Sequence, residues 1–198
     1  MKLSEIKSFN KRFLIEIFVI ALLTLPAIWS LIRPGFFTMY DDMQVIRVQQ
    51  MDVCVKDGQI PCRWVPDLGY GYGYPIYQYY APLPYYLMEG VHLLGISFID
   101  SVKVGFALSV VFSALFMYLL AKKFFSSQAS FAVVALYTLV PFRAASVYVR
   151  GAMGEAWGLA TLPMVILGFE NYLEKRDKTS LSLFGISIFL FLISHNLT

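Results

Sequence analysis

The apolar runs in this chain are longer than a soluble protein can bury. Each extends for roughly 17 to 25 residues, the length a helix needs to cross a hydrocarbon core of about 30 Å. Charged or turn-forming residues separate them. A backbone in lipid must satisfy its own N–H and C=O groups, so runs of this length read as membrane helices. Composition agrees, with 58% of the 198 residues hydrophobic and 15% charged, and a mean hydropathy of +0.63, outside the range of soluble domains. The expected fold class is all-α: a polytopic helical membrane protein, one membrane domain over residues 1–198. The net charge of +3 is small and forms no basic stripe. The expected partner is the lipid bilayer, not nucleic acid.

Five spans are expected, at about 13–32, 104–121, 129–146, 155–173 and 181–195. Lys2, Lys7, Lys11 and Arg12 precede the first one and hold the N-terminus in the cytoplasm. That first run is longer than a signal-peptide core and lacks a small-residue cleavage site, so it reads as a retained anchor in the plasma (inner) membrane. Pro26 within it is tolerable in a membrane helix. The ambiguous stretch is 83–98, apolar but carrying Glu89, Gly90 and His92. If it crossed, Lys122, Lys123, Lys175, Arg176 and Lys178 would lie outside, inverting the usual bias of positive charge toward the cytoplasm. It is therefore expected to lie along the surface, within one long outer loop over 33–103. Asp41 and Asp42, the Arg150 to Glu155 segment and Ser194-His195-Asn196 then share the outer face.

The outer loop opens on the acid pair Asp41 and Asp42, directly beyond the first span. One acid suffices for a helix cap, whereas two beside a membrane face suggest chemistry. A surface-lying amphipathic helix is expected over about 42–51, with the acids at its N-terminus, where the helix dipole favours them. Cys54 and Cys62 either form an extracytoplasmic disulfide or remain free thiols, because spacing does not give geometry. Tyrosines then crowd the stretch from Tyr70 to Tyr86. An interfacial aromatic belt explains most of them, while a flap touching a sugar or a polyprenyl chain would engage Tyr74 and Tyr77.

Further along, Arg150 or Arg143 can hold phosphate oxygens in a planar fork, Arg150 being favoured by its neighbour Gly151; headgroup anchoring is the competing reading of both, and at least as strong for Arg143. Glu155 suits the first turn of the fourth span. His195 lies between Ser194 and Asn196 at a helix end. Were Asp41, Asp42, Glu155 and His195 to converge, they would make an oxygen-rich set for Mg²⁺ or Mn²⁺. Glu16, within the first span, is expected to snorkel or to pair with a nearby Lys or Arg.

In order, these motifs resemble a known family. Tyr40-Asp41-Asp42, the stretch WVPDLGYGYGYP from Trp64 to Pro75, the tyrosine and proline run through Leu87, a surface helix closing on Leu94-Gly95-Ile96-Ser97, the span ending in AKKFF at Phe125, the Y-x-R-G-A-x-G-E motif from Tyr148 to Glu155, and Ser194-His195-Asn196 are similar to the bacterial polytopic proteins labelled membrane protein 6-pyruvoyl-tetrahydropterin synthase-related. More distantly, they resemble the GT-C class of glycosyltransferases. The pterin label implies no activity here, since that enzyme's zinc site needs three histidines and this chain has His92 and His195. The GT-C resemblance implies transfer of a sugar from a polyprenyl-phosphate donor to an acceptor at the outer face. It makes Asp41 or Asp42 the base or metal ligand; Arg150, Glu155 and His195 are expected on the substrate from residue type and position alone. GT-C proteins usually have more spans, so the chain is expected to be an N-terminal fragment. A non-catalytic protein that binds or presents lipid-linked glycans is the competing expectation, and a transporter component is the third. Clustering of charge at one face disfavours a conduction path.

Overall fold

A computed structural model describes residues 3–195, with side chains over 13–195; the sidedness residues Lys2, Lys7, Lys11 and Arg12 and the candidate Asn196 lie outside that description. The chain is helical, and among the described residues the one pairing of extended backbone is an antiparallel bridge between Val65 and Tyr74. Helix α1 (Leu3–Ile28) tightens into a 3₁₀ turn at Trp29–Ile32, three residues beyond Pro26. Three short helices follow: α2 (Gln44–Lys56), α3 (Ile76–Tyr79) and α4 (Leu83–His92). The long α5 (Phe98–Ala121) starts earlier than the apolar run suggests. Its N-cap Ser97 accepts the Asp100 amide at 3.1 Å, so helix begins where capping begins rather than where charge ends. Helix α6 (Ser127–Leu139) stops before Pro141, and the chain bends by 41° into α7 (Pro141–Ala144), followed by a π turn over Ala145–Arg150. Helices α8 (Met153–Lys175) and α9 (Lys178–Leu192) complete the set.

Among the described residues, two helices, Phe13–Ile32 and Phe98–Ala121, are long and apolar enough to cross a membrane, and the bent pair Ser127–Leu139 with Pro141–Arg150 makes a third if counted as one span. The expected count of about five is thus not reached by length and composition. The shortfall lies in α9, whose helix is only 15 residues long, and in α8, which carries Glu155, Glu170 and Glu174. Helix α4 has 10 residues and reaches about 15 Å, half the thickness of a hydrocarbon core. By itself it is too short to cross.

Contacts at both ends fix the direction of the long helices. Glu16 of α1 pairs with Lys122 beyond α5 at 2.9 Å, while Lys103 of α5 donates to the Arg33 carbonyl at 2.6 Å at the opposite end; α1 and α5 are antiparallel. Lys123 pairs with Glu174 of α8, also at 2.6 Å, on the Glu16 side. Between the ends, prolines free carbonyls that neighbouring helices satisfy. Pro163 within α8 removes the amide that would bond to Leu159, and that carbonyl accepts Tyr137 Oη at 2.8 Å and Ser113 Oγ at 3.2 Å.

The short helices form a layer over the first turns of α5. Val48, Met51, Tyr85 and Met88 are fully buried in a core that continues through Phe106 to Met153 and Trp157. Gly105 allows the close approach, for a Cβ there would stand 2.6 Å from Met88. The expected helix over 42–51 begins later and ends later, leaving both acids outside its first turn. It is a packed element rather than a surface float, because Gln44, Val48, Gln50, Met51, Asp52 and Cys54 are buried. Cys54 and Cys62 form a disulfide that closes this layer over a separation of 8 residues.

Glu89 of α4 is buried, with no hydrogen-bond partner for either oxygen among the described residues. Burial first, and then the charge of Asp52, raise its carboxyl above the ordinary glutamate value. A carboxyl raised in this way holds its proton more tightly folded than unfolded. Its contribution is complete below the unfolded value and is lost as pH rises through the folded one. The stability of this layer should therefore fall with rising pH across that window, and Glu89→Gln should remove the slope. Denaturant midpoints measured in detergent at several pH values test this, and an unchanged slope in the variant would refute it.

Candidate functional site

The segment after α1 is laid against the π turn by two backbone bonds, from Tyr40 N to Val149 O at 2.8 Å and from Asp41 N to Arg150 O at 3.0 Å. Gly151 closes the turn in the left-handed region at φ +65°, and a Cβ there would meet Met39 and stand 2.9 Å from the Asp41 carbonyl. This position needs glycine for both conformation and space. The carbonyl of Gly151, which accepts the Met153 amide at 2.9 Å, also accepts Gln44 Nε2 at 2.8 Å, and the same nitrogen lies 2.9 Å from Asp41 Oδ2. Gln44 is completely buried, its own carbonyl taken by Tyr85 Oη at 2.8 Å.

Asp41 Oδ2 also accepts Arg47 Nη1 at 2.7 Å and Tyr80 Oη at 3.2 Å. The Arg47 guanidinium stacks 4.4 Å from the Tyr80 ring centroid. Burial by itself would lower its pKa; the interactions with Tyr85, Asp41 and Tyr80 outweigh that and raise it. Burial also raises the Tyr85 hydroxyl well above its ordinary value, keeping it a neutral donor. Removing the guanidinium would strand a partly buried carboxylate. Arg47→Met should cost about 2 kcal/mol of stability, a discounted value for a pair that keeps some solvent. Thermal unfolding in detergent measures it, and a midpoint unchanged from wild type would show that the pair does not hold the segment.

Across the turn, Arg150 Nη1 pairs with Glu155 Oε2 at 2.6 Å, with the arginine side chain 52% exposed and the glutamate 17%. His195 lies on α8 where Gly154 and Gly158 leave room: an added Cβ would stand 3.3 Å and 3.4 Å, respectively, from its side chain. Tyr40, Asp41, Tyr80, Arg150, Ala152, Gly154, Glu155 and His195 line one cleft of about 460 Å³. It sits at the end of the bundle away from the Glu16–Lys122 pair. A second cleft, of about 450 Å³ and mostly apolar, lies beside that pair.

The structure thus brings Asp41, Arg150, Glu155 and His195 to one cleft but separates Asp41 from Asp42, which is exposed and outside the lining. Tyr74 and Tyr77 do not line it either. Tyr74 bridges Val65, and Tyr77 is buried, donating to the Arg47 carbonyl. Arg143 is no headgroup anchor, being 2% exposed inside the bundle. The oxygen-rich set does not assemble: among the described residues no group of three or more His, Cys, Asp or Glu is placed to hold a metal ion. Asp41 and Glu155 each face a guanidinium instead, so the residues present do not fit a divalent cation. His92 is remote from such a set, stacked on Phe98 at 3.8 Å. Sequence reasoning missed Gln44, Arg47, Tyr80 and Tyr85. Their one legible signal is the spacing of Asp41, Gln44 and Arg47, which recurs every three residues into the start of α2.

Residues 77–198 match the sequence model of a family described as 6-pyruvoyl-tetrahydropterin synthase related domain, membrane protein. No curated protein and no solved structure matches the chain. The matched stretch contains Tyr80, Arg150, Glu155 and His195, whereas Asp41 precedes it.

Proposed function

Because this chain belongs to the 6-pyruvoyl-tetrahydropterin synthase related membrane proteins, we propose a function read from its own cleft: transfer of a sugar from a polyprenyl-phosphate donor to an acceptor at the outer face of the plasma membrane, as in GT-C glycosyltransferases. The observation that carries it is the meeting of Asp41 and Arg150 in one cleft at the end of a membrane bundle. Five legs cross in this reading: α1, α5, α6 with α7 and the π turn, α8 and α9. The N-terminus is cytoplasmic. Lys122 and Lys123 gather with Glu16 and Glu174 at the end remote from the cleft, the arrangement that the charge bias of inner-membrane proteins favours.

In the reaction, Asp41 takes the proton of the acceptor hydroxyl as that oxygen attacks the anomeric carbon. The bond from that carbon to the phosphate oxygen breaks, and its electron pair leaves on the polyprenyl phosphate. Arg150, half exposed at the rim, meets the phosphate charge. The hydrogen bonds from Arg47, Gln44 and Tyr80 all reach Oδ2 of Asp41, which leaves Oδ1 to receive the proton. Those same bonds also favour a second reading. A carboxylate held by three donors suits a non-catalytic protein that binds or presents the lipid-linked glycan.

Reconstitution with a radiolabelled polyprenyl-phosphate sugar separates the two, comparing wild type with Asp41→Asn and Asp42→Asn. Transfer lost in the first variant alone supports catalysis. Binding without transfer in the wild type supports presentation. Transfer that survives both substitutions removes Asp41 from the mechanism.

A further inference from the structure

The bundle contains a second charged centre that the cleft does not use. Arg143 is almost completely buried at the bend between α6 and α7. Its Nε donates to the Tyr137 carbonyl at 3.3 Å, the carbonyl that Pro141 deprives of its helical partner. Its Nη2 donates to Ser113 Oγ at 2.7 Å, and Tyr137 lies beneath the guanidinium at 5.1 Å. These contacts tie α5, α6 and α7 together and account for part of the group. Nη1 has no partner, and no Asp or Glu pairs with this arginine among the described residues.

A cavity of about 140 Å³ opens beside it, walled by Pro26, Ala27, Val110, Leu139, Val140 and Ala144. Pro26, Leu139, Val140 and Ala144 are exposed, so the cavity opens sideways between α1 and the α6–α7 bend. Val110 of the lining fixes its height, lying about 17 Å along α5 from each helix end, Phe98 and Ala121. A guanidinium keeps its charge at every accessible pH, and a charge at mid-membrane depth without a counter-charge is costly.

We propose that this cavity receives the carboxylate side chain of a partner protein's membrane helix, which docks between α1 and the α6–α7 bend and pairs with Arg143 Nη1. Depth selects this occupant, since lipid phosphates lie beyond the hydrocarbon core, about 15 Å from its midplane. Among the described residues, a second copy of this chain does not supply the acid at that height. Glu16, Glu155 and Glu174 lie near the ends of the apolar stretches and are paired with Lys122, Arg150 and Lys123, and Glu170 is one turn from Glu174.

The test uses a synthetic polyleucine membrane helix with one central glutamate, and its glutamine counterpart, in phosphatidylcholine vesicles with the labelled protein. Energy transfer should report about tenfold tighter association of the glutamate helix. Arg143→Leu should abolish that preference. So should Ala144→Phe, which blocks the cavity without touching the arginine and carries the test if the first variant does not fold. Equal association of the two helices with wild type, or a preference surviving Ala144→Phe, overturns the proposal. Displacement of the glutamate helix by phosphatidylglycerol in wild type but not in Ala144→Phe would assign the cavity to a lipid headgroup and overturn it equally.

Discussion

Asp41→Asn should lower sugar transfer by about 10²- to 10⁴-fold, the range a positioned general base supplies. Asparagine has nearly the same shape, and its carbonyl oxygen can occupy the place of Oδ2 and still accept from Arg47, Gln44 and Tyr80. What disappears is the negative charge and the ability to take a proton. The fold should weaken only slightly, by about 1–2 kcal/mol, because Arg47 keeps a neutral acceptor. Loss of transfer with donor binding retained is therefore the expected pattern. Asp42→Asn should match wild type in both, since Asp42 is exposed outside the cleft. Equal losses in the two variants would mean that a general carboxylate field, rather than one placed oxygen, matters.

Gly151→Val should be the most damaging single substitution near the cleft. A β-branched residue at φ +65° carries a backbone penalty of about 1–2 kcal/mol. Its Cβ also meets Met39 and the Asp41 carbonyl, an overpacking that adds about 1–3 kcal/mol. The total, about 2–5 kcal/mol, falls on the one turn that joins the cleft's two halves. Separation of those halves should abolish donor binding as well as transfer, unlike Asp41→Asn. Gly151→Ala should lose less, since it lacks the branched side chain. Unfolding midpoints and donor binding in detergent measure both variants; wild-type values for Gly151→Val would show that the turn has room that the geometry denies.

The sequence alone specified a helical membrane chain, because uninterrupted apolar runs leave the backbone no other way to satisfy its polar groups. Charge bias leads to the expectation that 83–98 lies along the surface, and the structure adds that its helix, at 10 residues, is too short to cross by itself. Asp41, Arg150, Glu155 and His195 could be named from residue type and position. Their partners could not: Arg47 meets Tyr80 over a separation of 33 residues, and Gln44 meets Gly151 over 107. Neither distance leaves a trace in local periodicity. The two adjacent acids were alike on paper, and only tertiary packing decided between them, turning Asp41 toward Arg47 and leaving Asp42 to solvent. The same holds for Arg143. Sequence puts it near a span end, but the bend at Pro141 turns its side chain inward, where a freed carbonyl and a serine on α5 hold it.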